Sequence, residues 1–236
     1  MRTWADWSRR MAWAGGIVVV MALLLPGCSK KGGGDSPGAA TQGGEATSPL
    51  PGQSGAQPAT APPSEPPPKP TMPKVLLTEE QKATCRVGVG DILPGGEVTG
   101  RDGSPHALAD LLGQRLTVVF LWNVPQGARA RLLTETALGD LAVDVAQPYA
   151  EKGVRVVGVN VGDATQTVTQ IAQSTGAEFP QMLDPQGALF AQVATGGLPR
   201  IYLLDAEGKI LWFDLEYSRS THDALLTAIR VTLGEI

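Results

Sequence analysis

The sequence predicts an α/β fold in which a central mixed β-sheet is flanked by helices. Residues 115–122 and 154–161 are nearly continuous apolar runs, the pattern of strands buried on both faces. A helical stretch between them implies a crossover and therefore a parallel pair. Residues 200–205 and 209–214 form two further strand patterns joined by a tight turn, which adds an antiparallel edge.

The segment before the first buried strand predicts small elements. Residues 78–81 (Thr-Glu-Glu-Gln) fit a capping box, so we expect a short helix from Thr78 to Arg86. Residues 97–100 followed by an Asp-Gly turn predict a small hairpin, and residues 106–113 predict a short helix.

The remaining helices follow from apolar spacing and from capping residues. Residues 128–152 predict a helix that Pro148 kinks or breaks, and its expected apolar side is Leu132, Leu133, Thr136, Leu141 and Val145. Residues 164–174 predict an amphipathic helix that ends at Gly176, and residues 187–194 predict a shorter one. Residues 220–234 predict a closing helix capped by Ser220 or Thr221.

The first 28 residues have the pattern of a bacterial lipoprotein signal. Arg2, Arg9 and Arg10 precede an apolar run over residues 11–25, which is shorter than the roughly 20 residues of a membrane span. Leu-Pro-Gly-Cys at 25–28 resembles the lipobox, with Pro26 as a departure. We interpret residues 1–27 as a signal peptide and Cys28 as the lipidated residue; the alternative is a retained N-terminal anchor with an incidental cysteine. Under both interpretations, the N-terminal end of the chain attaches the protein to a membrane.

A tether and one domain follow. Eleven of the 19 prolines lie in residues 29–74, which have no hydrophobic periodicity, so residues 28–74 are predicted to be the lipidated cysteine and a disordered Gly/Pro-rich linker. Residues 75–236 are the predicted folded domain. The expected location is the bacterial cell envelope, with the domain facing the periplasm.

Composition excludes several classes of function. A net charge of −4 argues against a nucleic-acid surface. Two cysteines and two histidines, with His106 and His222 expected at the surface, argue against a multi-cysteine or multi-histidine metal centre. No cofactor and no metal are predicted.

Four segments resemble the TlpA-type thioredoxins and redoxins: TVVFLW at 117–122, VRVVGVNVG at 154–162, FPQMLD at 179–184 and GLPRIYLLDAEGKI at 197–210. The resemblance runs from about residue 87 to the C-terminus. It implies a thioredoxin-like fold, a cis peptide bond between Leu198 and Pro199, and a redox site beside that proline.

The chain departs from the family at the redox site itself. The family has Trp-Cys-x-x-Cys after the aromatic end of its strand, whereas this chain reads Trp122-Asn-Val-Pro-Gln-Gly-Ala-Arg129. Gln126 and Arg129 therefore occupy the positions of the two cysteines. Neither side chain can form a thiolate, which thiol–disulfide exchange requires. The peroxiredoxin pattern P-x-x-x-T-x-x-C is also not met after Pro125.

The resemblance implies a peptide-docking edge without redox chemistry. Trp122, Gln126, Arg129, Leu198 and Pro199 are the candidate binding residues, for an extended peptide or an envelope protein. Arg129 lies near a predicted helix N-terminus, where it could bind an anion. The alternative is that Arg129 is solvated or forms an ion pair with Glu135 or Asp102.

A second hypothesis is a thiol oxidoreductase or one-Cys peroxidase that uses Cys85, whose neighbours in sequence include Lys82 and Arg86. The simpler interpretation of Cys85 is a half-buried, small apolar residue. A third hypothesis is a purely structural envelope protein.

Overall fold

The computed structural model describes residues 69–236. The predicted signal peptide, Cys28 and nearly all of the predicted linker lie outside these residues. Seven strands form one mixed sheet in the order β2-β1-β5-β4-β3-β6-β7. The strands are β1 (Glu97–Gly100), β2 (Pro105–Ala107), β3 (Leu116–Trp122), β4 (Val154–Val161), β5 (Gln181–Asp184), β6 (Arg200–Asp205) and β7 (Ile210–Leu215).

In the described part of the chain, six α-helical segments accompany the sheet, together with short 3-10 and π-helical stretches. They are α1 (Glu79–Ala83), α2 (Ala128–Asp140), α3 (Gln147–Tyr149), α4 (Thr165–Thr175), α5 (Ala188–Val193) and α6 (Arg219–Leu233). Thr78 caps α1 in the predicted capping box, whereas α6 begins slightly earlier than predicted, with Ser218 as its N-cap. No helix within residues 69–236 is long and apolar enough to cross a membrane.

The sheet is built around β3, whose seven residues are all buried. This strand runs parallel to β4 and antiparallel to β6, and β6 pairs antiparallel with β7, as the sequence predicts. In this register Trp122 lies opposite Asn160 of β4, and Leu121 lies opposite Arg200 of β6. The end of β3 and the start of β6 therefore meet at one edge of the molecule.

Two apolar clusters cover the two faces of the sheet. One contains buried residues of α2, α4 and α6, among them Leu138, Ile171 and Leu225. The other contains Leu189 and Val193 of α5, and the half-buried Cys85 packs against it. Burial of each large apolar side chain stabilises the fold by about 1.5–3 kcal/mol. Because β3 supplies buried residues to both clusters, it forms the centre of the fold.

The helical segment after β3 runs to Lys152, as predicted, but it is not regular. The α2 helix passes into a π-helical stretch at Leu141–Ala146, then into α3 and a 3-10 turn at Ala150–Lys152. The π-helical stretch ends at Ala146, two residues before Pro148, which has no amide hydrogen and crowds the preceding turn. The predicted disturbance by Pro148 is therefore confirmed.

The predicted apolar side of α2 is partly wrong. Leu132 and Leu133 are 62% and 44% exposed, and Thr136 is exposed too. The buried side instead consists of Thr134, Ala137, Leu138, Leu141, Ala142 and Val145. Helical spacing places these residues on one face, and the smaller Thr and Ala side chains let the helix approach the sheet.

Two elements near the first hairpin differ from expectation. The predicted helix at 106–113 is instead the end of β2 followed by a 3-10 turn, Leu108–Leu111. The strand β5 was not predicted, because its four residues begin and end with polar side chains. It pairs with β4 on one side and with β1 on the other, so it joins the small hairpin to the central sheet.

His222, expected at the surface, is buried in α6, and its Nε2 lies 3.1 Å from Asp144 Oδ2. A buried histidine needs such a partner.

The Leu198–Pro199 peptide bond is cis, as expected. Met72, just before the predicted domain boundary at residue 75, already packs against the first apolar cluster.

Candidate functional site

The loop from residue 123 to 127 connects β3 to α2 and contains Gln126, which occupies the position of the family's first cysteine. Gln126 is exposed in this loop, and Gly127 is the N-cap of α2 without a side-chain hydrogen bond. Arg129 is exposed in the first turn of α2. Its expected partner Glu135 pairs instead with Arg131, whose Nε lies 2.8 Å from Glu135 Oε1. Two polar, solvent-facing side chains therefore stand where the resemblance places two cysteines.

This loop is held by the end of β4. The amide of Val124 donates to Asp163 Oδ2 at 2.8 Å, and Asn160 Nδ2 donates to the same oxygen at 2.8 Å. The Asp163 amide in turn donates to Asn160 Oδ1 at 3.1 Å. Asn160 is fully buried. A short polar residue after a strand is typical of a turn, so the sequence does not reveal the contact between Asp163 and the loop.

We expect Asp163→Ala to loosen this loop, because the Val124 amide and the buried Asn160 amide both lose a charged acceptor. Hydrogen bonds to charged groups contribute about 1.5–3 kcal/mol each, and partial exposure of Asp163 lowers this, so the loss should be about 1–3 kcal/mol in total. Hydrogen exchange at the Val124 amide should accelerate accordingly.

Asp205→Ala is the matched control, since Asp205 Oδ1 accepts from two backbone amides in the β6–β7 turn. It should leave exchange at Val124 unchanged. Unchanged exchange at Val124 in Asp163→Ala would show that the carboxylate does not hold the loop.

Leu198 and Pro199 lie at the start of β6 and are half-buried. Leu121 of β3 lies opposite Arg200 of β6. Because the strands are antiparallel, the next position in this register places Pro199 opposite Trp122. The Pro199 carbonyl accepts from the Glu216 amide at 2.9 Å, which anchors this end of the loop to the segment after β7. Within residues 69–236, neither the amide nor the carbonyl of Leu198 has a hydrogen-bond partner.

Trp122, a candidate binding residue, is fully buried. Its indole Nε1 donates to Gln181 Oε1 at 3.3 Å, and the Gln181 side chain lies directly over Gly158, where no Cβ would fit beside it. The ring therefore lies in the core beneath the edge. Gln126, Arg129, Leu198 and Pro199 are the candidates that the structure leaves accessible at this edge.

Cys85 lies close to the Leu198 end of this edge, and both residues pack against the same apolar cluster. It follows α1, its backbone forms a bridge with Ala194, and it packs against the apolar cluster on the face opposite α2. Its Sγ is 3.3 Å from a guanidinium nitrogen of Arg200, a contact that the sequence did not reveal because 115 positions separate the two residues. Among residues 69–236, no group of three or more His, Cys, Asp or Glu side chains is placed to hold a metal ion.

The family model described as Redoxin matches residues 88–229, which include β3, α2 and the Pro199 loop. The chain belongs to the Redoxin family. Similar curated proteins include the "Thiol-disulfide oxidoreductase ResA" of Geobacillus thermodenitrificans, 27% identical over 126 residues, or 52% of this chain and 67% of that protein. ResA of Bacillus subtilis is 32% identical over 63 residues, or 27% of this chain and 35% of that protein.

Solved structures show the same fold. A putative protein disulfide isomerase from Bacteroides thetaiotaomicron has a TM-score of 0.56 at 22% identity, over 64% of this chain and 94% of that one. A putative thiol:disulfide interchange protein DsbE from Chlorobium tepidum has a TM-score of 0.51 at 24% identity, over 63% and 99%. The thioredoxin-like fold predicted from the sequence is confirmed.

Proposed function

We propose that this protein is a lipid-anchored, periplasm-facing member of the Redoxin family that lacks dithiol–disulfide activity and acts by binding. One observation carries the proposal: Gln126 in the loop before α2 and Arg129 in the first turn of α2 occupy the exposed positions of the two cysteines. Exchange requires a thiolate that attacks a disulfide and a second thiol that resolves the adduct. Within residues 69–236 the free cysteine is Cys85, which lies on the other face of the sheet.

The proposed ligand is an extended peptide segment of an envelope protein. The amide and carbonyl of Leu198 have no hydrogen-bond partner among residues 69–236, so they offer one donor and one acceptor, the pair that an added strand uses. The exposed leucines Leu132 and Leu133, in the second turn of α2, offer apolar surface on the helix that begins at the same edge. Backbone pairing would supply affinity, and Gln126 and Arg129 would select polar or acidic side chains of the ligand.

The binding proposal is tested by nuclear magnetic resonance with a peptide selected from a library of extended decapeptides. The amide of Leu198 and the signals of Gln126 and Arg129 should shift with one saturable dissociation constant. Signals of the β6–β7 turn at residues 206–208 serve as the internal control and should not move. A peptide that binds without shifting Leu198, Gln126 and Arg129 would refute this edge as the docking site, and no saturable binding would favour the structural-protein hypothesis.

The anchor is tested by Cys28→Ser. If the sulfur of Cys28 carries the lipid, the variant should remain unprocessed or leave the membrane fraction, because several acyl chains provide the lasting attachment. Ser29→Ala is the matched neighbour and should fractionate with membranes as the wild type does. Membrane fractionation and the mass of the N-terminal peptide measure both, and a Cys28→Ser variant that is processed and membrane-bound as before would contradict the lipid anchor.

A further inference from the structure

The helical segment that starts with α2 is apolar on two opposite sides. One side packs on the sheet through buried residues such as Ala137 and Leu138. The other side faces solvent, where Leu132 is 62% exposed and Val143, in the π-helical stretch, is 60% exposed. A surface helix normally presents polar residues to solvent. The second apolar side therefore indicates a surface that a partner covers.

The solvent-facing side forms a continuous stripe along the helix. Arg129, Leu132, Thr136, Asp140 and Val143 recur three or four positions apart, the spacing that places residues on one helix face. Asp140 is half-buried and the other four are exposed. These five residues are called the α2 stripe.

The two ends of the α2 stripe carry opposite charges. Arg129, in the first helical turn, has no carboxylate within 4.0 Å among residues 69–236. The far end contains Asp140 and, one turn further on, Asp144, whose side chain is 43% exposed. Asp140 accepts from Tyr217 Oη and Asp144 contacts His222 Nε2, each through Oδ2. Their Oδ1 atoms have no hydrogen-bond partner in the described part of the chain.

An antiparallel pair of these helices would bring the opposite charges together. With a two-fold axis at Thr136, position 129 of one copy lies level with position 143 of the other. Arg129 then lies only about 1.5 Å along the helix axis from the level of Asp144 in the other copy. Leu132 lies between the levels of the other copy's Thr136 and Val143, so the apolar residues of the two stripes meet as well.

We propose that the α2 stripe is the interface of a symmetric dimer, in which a second copy of this chain covers Leu132, Thr136 and Val143. The pair of Arg129 with Asp144 of the other copy selects the antiparallel direction, because a parallel pair would place like charges together at both ends. Five side chains provide less than the roughly 800 Å² per partner of a standard interface, so the dimer is weak and depends on concentration.

The dimer goes beyond the proposed peptide binding and does not depend on it. Arg129 and Leu132 belong to both surfaces, so a peptide and a second copy exclude each other there. Peptide affinity should therefore be highest at protein concentrations at which the chain is monomeric, and saturating peptide should dissociate the dimer.

Sedimentation equilibrium from micromolar to millimolar protein, without peptide, measures the dimer itself. Leu132→Asp in the full chain should raise the dissociation constant at least tenfold, because the symmetry places two additional carboxylates in the interface. Leu76→Asp is the matched control, since Leu76 is 82% exposed and lies outside α2, and it should associate as the wild type does. A monomeric wild type, or equal association of the wild type and Leu132→Asp, would refute the dimer.

Cysteine cross-linking tests the position of the axis. In a Cys28→Ser/Cys85→Ser background, Thr136→Cys should form a disulfide-linked dimer under mild oxidation, because an axis residue lies opposite its own copy. Gln170→Cys, at an exposed position of α4, is the matched control and should remain mostly unlinked. Thr136→Cys that links no faster than Gln170→Cys would overturn the proposed axis.

Arg129→Glu tests the charge pairing. It should weaken the dimer, because the introduced carboxylate would lie beside Asp144 of the other copy, whereas Arg129→Lys should retain most of the association. Added salt should weaken the wild-type dimer, since the paired groups are exposed. An Arg129→Glu variant that associates like the wild type would contradict the antiparallel pairing. A dimer in a protein that binds no peptide would refute the proposed function and leave this interface standing.

Discussion

The purified protein is expected to leave the disulfides of insulin intact when dithiothreitol or a thioredoxin reductase system supplies electrons, with a rate no higher than that of the reductant alone. The double variant Gln126→Cys/Arg129→Cys is expected to acquire a reducible intramolecular disulfide. The physical reason is that a mixed disulfide forms on a first cysteine and is resolved by a second, and neither Gln126 nor Arg129 can do either.

The geometry at the start of α2 supports the expected gain in the double variant. Residue 126 lies just before the N-cap Gly127, and residue 129 lies in the first helical turn, where the Arg131 amide already donates to the Gly127 carbonyl. Two residues three positions apart across such a turn suit the short Cβ separation of a disulfide. The helix N-terminus also stabilises a thiolate at the first of the two positions.

The comparison is cleanest in a Cys28→Ser/Cys85→Ser background, where the two introduced cysteines are the only thiols. Gln126→Ser/Arg129→Ser is the matched control, because it makes similar changes in polarity without thiols. Intact mass before and after reduction detects the disulfide, and insulin turbidity measures turnover. Robust turnover by the protein with its natural Gln126 and Arg129 that survives Cys85→Ser would mean that the redox site lies elsewhere.

Strong local patterns explain the parts of the fold that the sequence predicts correctly. The runs at 115–122 and 154–161 are apolar at nearly every position, and a fully buried strand needs no partner information to be recognised. The hairpin of β6 and β7 is marked by its Asp205–Gly208 turn. The position of the candidate edge follows directly, because it lies between the end of β3 and the start of β6.

Contacts between distant segments explain what the sequence does not predict. The strand β5 is a strand because β4 and β1 lie on either side of it, not because of its own four residues. His222 is buried and contacts Asp144, 78 positions away, which its own sequence neighbours do not reveal. Arg200 follows Pro199 in sequence like any polar residue, and only the packing of the segment after α1 against the start of β6 shows it to be a buried cation beside Cys85.

Trp122→Ala is expected to cost about 3–5 kcal/mol of unfolding free energy, the range for truncating a fully buried large aromatic side chain. The substitution leaves a cavity in the core. It also removes the indole N–H that donates a hydrogen bond to Gln181 Oε1. Urea unfolding followed by circular dichroism measures the loss. Trp122→Phe should cost less, because the aromatic ring remains and only the indole N–H and part of the volume are lost.

Leu132→Ala is the matched control, since Leu132 is 62% exposed and its truncation should change stability by less than about 0.5 kcal/mol. Comparing the Trp122 and Leu132 variants also separates effects on stability from effects on peptide binding. Leu132 belongs to the exposed surface of α2, so its truncation should weaken peptide binding at full stability, whereas Trp122→Phe should keep binding at reduced stability. A Trp122→Ala protein of unchanged stability that no longer binds the peptide would place the indole in the binding surface and contradict its role in the core.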